Sequence, residues 1–165
     1  MTGERGSAVY AAYIKDQLSD QNARKNSIEQ RGIAVVTTSG ALVSLLFGLT
    51  AVLTGARHYH LPAAAKPWLS AAMAAFVLGA IGGIVTNLPL FYIGVRPSEL
   101  RSAVKKRWHD SVEDAEQRVA ATQVKVLARA KTLNTVKGFV LFGAIGAEVA
   151  AVTFLSFAIG IMLRG

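Results

Sequence analysis

The stretch that decides the fold is residues 138–163, GFVLFGAIGAEVAAVTFLSFAIGIML, which is apolar throughout except for one acidic residue, Glu148. About 20 apolar residues in a helix cross a hydrocarbon core of roughly 30 Å, so this stretch is long enough to span a membrane. A carboxyl group near the middle of a bilayer is energetically costly. Glu148 is therefore a candidate functional residue, and its hydrogen-bond partners must come from other helices.

Two further stretches, residues 33–54 and 68–94, are also long and apolar. Of the 165 residues, 52% are hydrophobic and only 17% are charged. This hydrophobic content exceeds what one soluble domain needs for its core. We therefore predict an all-α integral membrane protein with three transmembrane helices. Residues 1–32 contain no signal-peptide pattern, so the first span is expected to stay in the mature chain.

The basic residues predict the orientation, because Lys and Arg near span ends are retained on the cytoplasmic side. Residues 1–32 hold five of them and residues 95–137 hold ten, whereas only Arg57, Lys66 and Arg164 lie across the membrane. We expect a multi-pass protein of the cell (inner) membrane with a cytoplasmic N-terminus and an outer loop at residues 55–67. Most of the net charge of +8 then serves topology or anionic lipid, and nucleic acid is not an expected partner.

The polar segments are predicted to be helical as well. Residues 7–31 carry a narrow apolar stripe at helical spacing, in a helix that leads into the first span. Pro89 and Pro97 predict an interruption near Asn87 and a new helix start near Pro97. The stripe consists of Val9, Tyr13, Ile14 and Leu18.

A short basic helix is predicted after Pro97. Its apolar residues Leu100, Val104 and Trp108 recur every four positions beside Lys105 to Arg107. This pattern is typical of an amphipathic helix at a membrane surface, and a packed cytoplasmic helix fits it nearly as well.

A long helix is predicted to begin at Ser111, which forms a capping-box pattern with Asp114. No Pro or Gly interrupts residues 111–137, so this helix is expected to continue into the third span. A short heptad pattern predicts either a solvated helix with a modest apolar stripe or pairing with the N-terminal helix or another copy. Its apolar positions are Val112, Val119, Val126 and Leu133.

Small residues recur every four positions in all three spans, which lets helix backbones approach closely in lipid. Packing within one chain and self-association both satisfy this pattern, so a homo-oligomer is one expectation. The repeats are Gly40, Ser44 and Gly48; Ala71, Ala75, Gly79, Gly83 and Asn87; and Gly143, Ala147 and Ala151.

Glu148 has two open interpretations. It is either a neutral carboxylic acid that is hydrogen-bonded to a neighbouring helix, or an acid that lines an aqueous path or an oligomer axis. By depth, Glu148 is nearer to Ser44 than to Asn87. The polar groups available to it are Thr37, Thr38, Ser39 and Ser44 in the first span, and Thr86 and Asn87 in the second.

The sequence offers little for catalysis. There is no cysteine, no Asp lies in a span, and His58, His60 and His109 all lie outside the spans. His58 and His60 alone are too few to hold a metal ion. We therefore expect a protein that is not an enzyme and that uses no cofactor or metal.

Two stretches carry a resemblance to a known family: NARKNSIEQRGIAVVTTSGALVSLLFGLTAVL at residues 22–53 and VKVLARAKTLNTVKGFVLFGAIGAEVAAVTFLSFAIG at residues 124–160. Their order, a charged helix entering the first span and a Lys-containing helix entering the third, resembles the Pycsar transmembrane effectors of bacterial anti-phage defence. The alanine-rich spans also resemble uncharacterised integral membrane proteins of actinobacteria.

The resemblance implies an effector of abortive infection that oligomerises and permeabilises the inner membrane when a cyclic nucleotide signal arrives. A set of basic residues would then face an anionic nucleotide, and anchorage beside lipid headgroups is the alternative role for the same residues. These residues are Arg24, Lys25, Arg31, Lys125, Arg129, Lys131 and Lys137. A non-enzymatic membrane scaffold and a small channel or transporter subunit are the rival functions.

Overall fold

A computed structural model of the protein describes residues 3–55, 61–88, 97–107 and 111–164. Four α-helices account for nearly all of these residues, and no strand occurs among them, which confirms the all-helical class. The helices are α1 (Gly3–Gly55), α2 (Lys66–Asn87), α3 (Pro97–Arg107) and α4 (Val112–Met162), with a 3-10 turn at Ala63–Ala65 before α2.

Three of the helices, α1, α2 and α4, contain stretches long and apolar enough to cross a membrane. Many of their large apolar side chains are exposed in the isolated chain, where water would be an unfavourable neighbour. Contact with lipid removes that cost. These exposed side chains include Leu45, Phe47, Val77, Leu78, Phe139, Phe142, Val149 and Phe157.

The chain divides into two compact units. The polar unit comprises Met1–Asn26 and Pro89–Val136, and the apolar unit comprises Ser27–Leu88 and Lys137–Gly165. Helices α1 and α4 each contribute residues to both units. The predicted continuation of the N-terminal helix into the first span, and of the heptad helix into the third span, is therefore confirmed.

In the polar unit, α1 contacts α4 through a polar bond. Asn134 is buried, and its Nδ2 donates to Gln21 at the main-chain oxygen (2.8 Å) and at Oε1 (3.1 Å). The apolar stripe of α1 is covered only in part, since Ile14 is buried whereas Val9 and Tyr13 are exposed. A polar contact therefore joins the two helices in this unit.

The heptad stretch of α4 is also covered only in part. Val126 and Leu133 are half-buried, whereas Val112 and Val119 are exposed. Within the described part of the polar unit, the apolar heptad positions are therefore packed only in the second half of this stretch.

Helix α2 ends at Asn87, and Leu88 is extended, with φ −60° and ψ 135°. A residue before a proline avoids the helical region for steric reasons, so Pro89 explains this end. The predicted span at residues 68–94 is helical as far as Asn87, and its last residues, 89–94, lie outside the described part. The described part also excludes the loop histidines His58 and His60, the residues Trp108 and His109, and the side chains of Leu100 and Val104.

The start of α4 carries the predicted cap. The main-chain N–H of Asp114 donates to Ser111 Oγ at 3.2 Å, and Ser111 Oγ donates to Asp114 Oδ2 at 2.8 Å. This satisfies one of the main-chain donors that a helix start leaves without a partner.

We expect Ser111→Ala to destabilise the first turn of α4 by about 1 kcal/mol, because the capping acceptor is lost. Hydrogen exchange of the hydrogen-bonded amides at residues 114–116 should then be about fivefold faster. Ser111→Asp keeps an acceptor and is the matched control, with near wild-type exchange. Equal exchange in the alanine variant and the wild type would show that the cap is energetically silent.

Candidate functional site

Three helices meet around Glu148 in the apolar unit. Helix α2 runs antiparallel to the other two, since its last turns approach the part of α1 near Gly32 and its first turn lies beside the end of α4. There the Trp68 ring lies 5.2 Å from the ring of Phe157, centroid to centroid. Helices α1 and α4 run parallel, so the three form an up-down-up arrangement.

The Glu148 carboxyl group is bonded to two hydroxyl groups of α1. Oε1 of Glu148 lies 2.6 Å from Thr38 Oγ1 and 2.8 Å from Ser39 Oγ. Ser39 is 1% exposed, so its hydroxyl group is shielded from any solvent that could replace this bond. Glu148 itself is half-buried.

Helix α2 contributes a glycine to this site. A Cβ atom added at Gly79 would lie 3.3 Å from Glu148 Cγ and 3.5 Å from Ser39 Oγ. Gly79 is buried, and its missing side chain leaves the room that the Glu148 methylene groups occupy. The site is therefore built from all three apolar helices: hydroxyl groups from α1, a gap from α2 and the acid from α4.

The helical period explains why Glu148 faces inward. The buried residues Leu141, Ala144 and Ala151 lie three to seven positions from it, and together they form one face of α4. Glu148 occupies the position on that face where an apolar residue would be expected. The helix therefore directs its carboxyl group toward α1 and α2.

No compensating cation lies at the site among the residues that the structure describes. No Lys, Arg or His occurs in residues 32–54, 68–94 or 138–163. The nearest charged pair in the same unit is Lys137 and Glu29, whose Nζ and Oε1 atoms are 2.7 Å apart. Lys137 precedes Glu148 by 11 residues, or roughly 16 Å along the helix. The hydroxyl groups are therefore the principal polar surroundings of the acid.

The other polar candidates in the spans do not contact Glu148. Thr37 Oγ1 donates to the Ile33 main-chain oxygen at 3.0 Å, and Ser44 Oγ donates to that of Gly40 at 2.8 Å. Both side chains are exposed. Asn87 Nδ2 donates to the Gly83 oxygen at 3.0 Å, near the start of the first span. Of the predicted partners, only Thr38 and Ser39 are brought to the acid.

The small-residue repeats occupy different surroundings. In α2, Ala75, Gly79 and Gly83 are buried between the helices. In α1, Gly40 and Gly48 are exposed, and a Cβ added at either would meet nothing within 4 Å. The α1 backbone instead approaches α2 at Gly32, a glycine that the four-residue repeat does not include.

The candidate basic residues also differ in their surroundings. Lys137 is buried and bonded to Glu29, and Lys25 is half-buried. The remaining five are exposed: Arg24, Arg31, Lys125, Arg129 and Lys131. Lys137 is therefore held by a carboxylate of α1, whereas these five are accessible to an anion.

These features define a class, an all-helical protein with three candidate membrane-spanning helices and a hydroxyl-bonded acid between them. No group of three or more potential metal ligands occurs among the described residues. No protein-family model, curated protein or solved structure matches this chain.

Proposed function

We propose that this protein is a signal-gated membrane effector of bacterial anti-phage defence, which oligomerises and permeabilises the inner membrane during abortive infection. In this proposal the N-terminus and the basic segments face the cytoplasm. The protein performs no chemistry and needs no cofactor, because permeabilisation requires only a rearrangement of helices.

The observation that carries the proposal is the bonding of Glu148. Within the described part of the chain, two hydroxyl groups bond its carboxyl group to α1, at 2.6 and 2.8 Å, and the residue is half-buried. Hydroxyl bonds of this kind contribute about 1 kcal/mol each. A small displacement of α4 along α1 would break them and turn an acid toward a partner copy or a water-filled path.

Helix α4 supplies a means of displacement, because it is one helix from Val112 to Met162. Binding of an anionic signal, with a cyclic nucleotide as the expected chemistry, would involve its exposed basic residues Lys125, Arg129 and Lys131. The resulting shift of α4 would pass along the helix to Glu148. Two-state rearrangements of this type require only small movements at the signal site.

We expect expression of the wild-type chain with its signal to depolarise bacterial cells, and we expect Glu148→Leu to abolish this effect. Leucine keeps the side-chain volume but removes the polar group that permeation requires. Dye fluorescence measures the membrane potential, and fractionation checks that both proteins are inserted. Cyclic nucleotides are supplied in parallel samples, so that a gated protein is also tested in its active state.

The matched control is Thr153→Val, which changes an exposed hydroxyl group in the same helix. Thr153 donates to the Val149 main-chain oxygen and does not contact Glu148. Its substitution should leave depolarisation unchanged. Full depolarisation by Glu148→Leu would contradict the proposed role of the acid.

A non-enzymatic scaffold, or a small channel or transporter subunit, is the second candidate function. The exposed face of α1 with Gly40, Ser44 and Gly48 favours it, because such faces pack against other helices in lipid. For a scaffold, Glu148 is only a helix contact. Expression would then leave the membrane potential intact with or without nucleotide.

A further inference from the structure

The hydroxyl group of Thr38 is surrounded by three oxygen atoms. Its Oγ1 lies 2.9 Å from the Ala34 oxygen, 3.1 Å from the Val35 oxygen and 2.6 Å from Glu148 Oε1. A hydroxyl group carries one hydrogen, and a main-chain carbonyl carries none. If Thr38 donates to the main chain, the hydrogen in its contact with Glu148 must come from the carboxyl group.

Five other threonines of α1 and α4 indicate which arrangement is preferred. Each donates to the main-chain oxygen four positions earlier, the usual bond of a helical threonine. These residues are Thr37, Thr122, Thr132, Thr135 and Thr153. Thr38 has the corresponding acceptor, the main-chain oxygen of Ala34 four positions earlier, at a similar distance of 2.9 Å. With that bond made, Glu148 donates to Thr38, and Ser39 donates to Glu148.

Charge favours the same arrangement. The elements packed against Glu148 present Thr38 and Ser39 from α1 and Gly79 from α2, and none of these residues is charged. An ionised carboxylate among apolar helices and lipid would lack a counter-ion, which is energetically costly. A protonated carboxyl group removes that charge and keeps every hydrogen bond.

We infer that Glu148, Thr38 and Ser39 form a proton-binding site in the apolar unit. Glu148 holds the proton and donates it to Thr38 Oγ1, while Ser39 donates to Glu148 Oε1. The inference rests on the proposed function in one respect, the position of Glu148 inside the bilayer. Proton binding is nevertheless measured separately from permeabilisation, so either proposal can fail while the other stands.

Dicyclohexylcarbodiimide is a suitable probe, because it partitions into lipid and reacts with protonated carboxyl groups. The acid transfers its proton to one carbodiimide nitrogen, and the carboxylate oxygen adds to the central carbon. The acyl group then migrates to the other nitrogen, so the whole reagent is retained and nothing leaves. Cleavage after Lys137 and Arg164 releases residues 138–164, in which Glu148 is the only side-chain carboxyl group.

The full chain in phosphatidylcholine vesicles at neutral pH should carry one retained reagent on residues 138–164, read by mass spectrometry. Glu148→Gln should lose this label at least tenfold. A water-soluble carbodiimide should label Glu148 much less than acids outside the spans. Preferential labelling of Glu148 by the water-soluble reagent would overturn the inference, since it would place the acid in contact with water.

Infrared spectroscopy keeps the inference testable if the reagent cannot reach the site. The wild type should show the carbonyl band of a protonated carboxylic acid, which Glu148→Gln removes. Thr38→Val removes the acceptor and should shift this band to higher frequency, whereas the neighbouring Thr37→Val should not. Absence of both the label and the band overturns the site, and an unshifted band in Thr38→Val overturns the role of Thr38.

Discussion

Gly83→Leu is expected to lower the free energy of unfolding of the apolar unit by about 3 kcal/mol, the upper end of the cost of overpacking. A Cβ atom at this position would lie 2.7 Å from the Gly32 main-chain oxygen and 2.8 Å from Val36 Cγ2. The first of these atoms belongs to a helix backbone and cannot turn aside. The larger side chain must therefore push α1 and α2 apart.

The contact is tight from both sides. A Cβ atom added at Gly32 would collide with Thr86 Oγ1 and would lie 3.0 Å from the Gly83 oxygen. Van der Waals packing, which close backbone approach improves, is one of the forces that associate helices in lipid, where the hydrophobic effect between helices is lost. Separating these two helices should therefore remove much of what holds them together.

Gly143→Leu is the matched control, because it adds the same side chain to an exposed glycine of α4. A Cβ atom there would meet nothing within 4 Å. Its effect should stay within about 0.5 kcal/mol. Steric trapping in lipid or detergent measures the free energy of unfolding of both variants. Equal losses in the two variants would show that the Gly32–Gly83 approach does not determine stability.

A double variant tests whether the two glycines act at one contact. Gly32→Ala and Gly83→Ala each force the helices apart, and one separation makes room for both methyl groups. The combined loss should therefore be smaller than the sum of the single losses.

The helical class and the three apolar helices were predictable from sequence, because length and composition alone decide them. The face of α1 that packs against α2 was not predictable. Gly40, Ser44 and Gly48 form the more regular repeat, yet α2 approaches at Gly32. Which face is used depends on the shape of the partner helix, here the buried Gly83 and Thr86, and a repeat in one helix does not contain that information.

The partner of Glu148 illustrates how register decides a site. Counting equal depths from residues 33 and 138 sets Glu148 within one residue of the level of Ser44. In the structure, Lys137 is paired with Glu29. Each residue of α4 therefore lies beside a residue of α1 that is about one turn nearer the N-terminus than this count gives. Eleven residues further along α4, and nine to ten residues further along α1, Glu148 reaches Thr38 and Ser39. The polar pair outside the apolar stretch and the contact inside it therefore share one register.

Glu29→Leu is expected to destabilise the apolar unit by about 3 kcal/mol, the cost of leaving a buried charge without its partner. The Lys137 side chain is only 5% exposed, and its ammonium group lies 2.7 Å from Glu29. Lys137→Met should cost less. The Glu29 side chain is 27% exposed, so solvent can stabilise the carboxylate that remains.

The double variant Glu29→Leu/Lys137→Met should recover most of the stability lost in Glu29→Leu, because a buried ion pair replaced by apolar residues is often neutral or stabilising. A double-mutant cycle of unfolding free energies measures this coupling. Simple additivity of the two losses would show that the charges do not interact.

The same variants test the register argument. If the ion pair sets the position of α4 along α1, Glu29→Leu should also shift the carbonyl band of Glu148 to higher frequency, since the acid would no longer be hydrogen-bonded to Thr38 and Ser39. The double variant would restore stability without restoring the polar contact. An unshifted band in the double variant would mean that the packing of Gly79 against Glu148 is enough to hold the register; a shifted band would assign that role to Lys137 and Glu29.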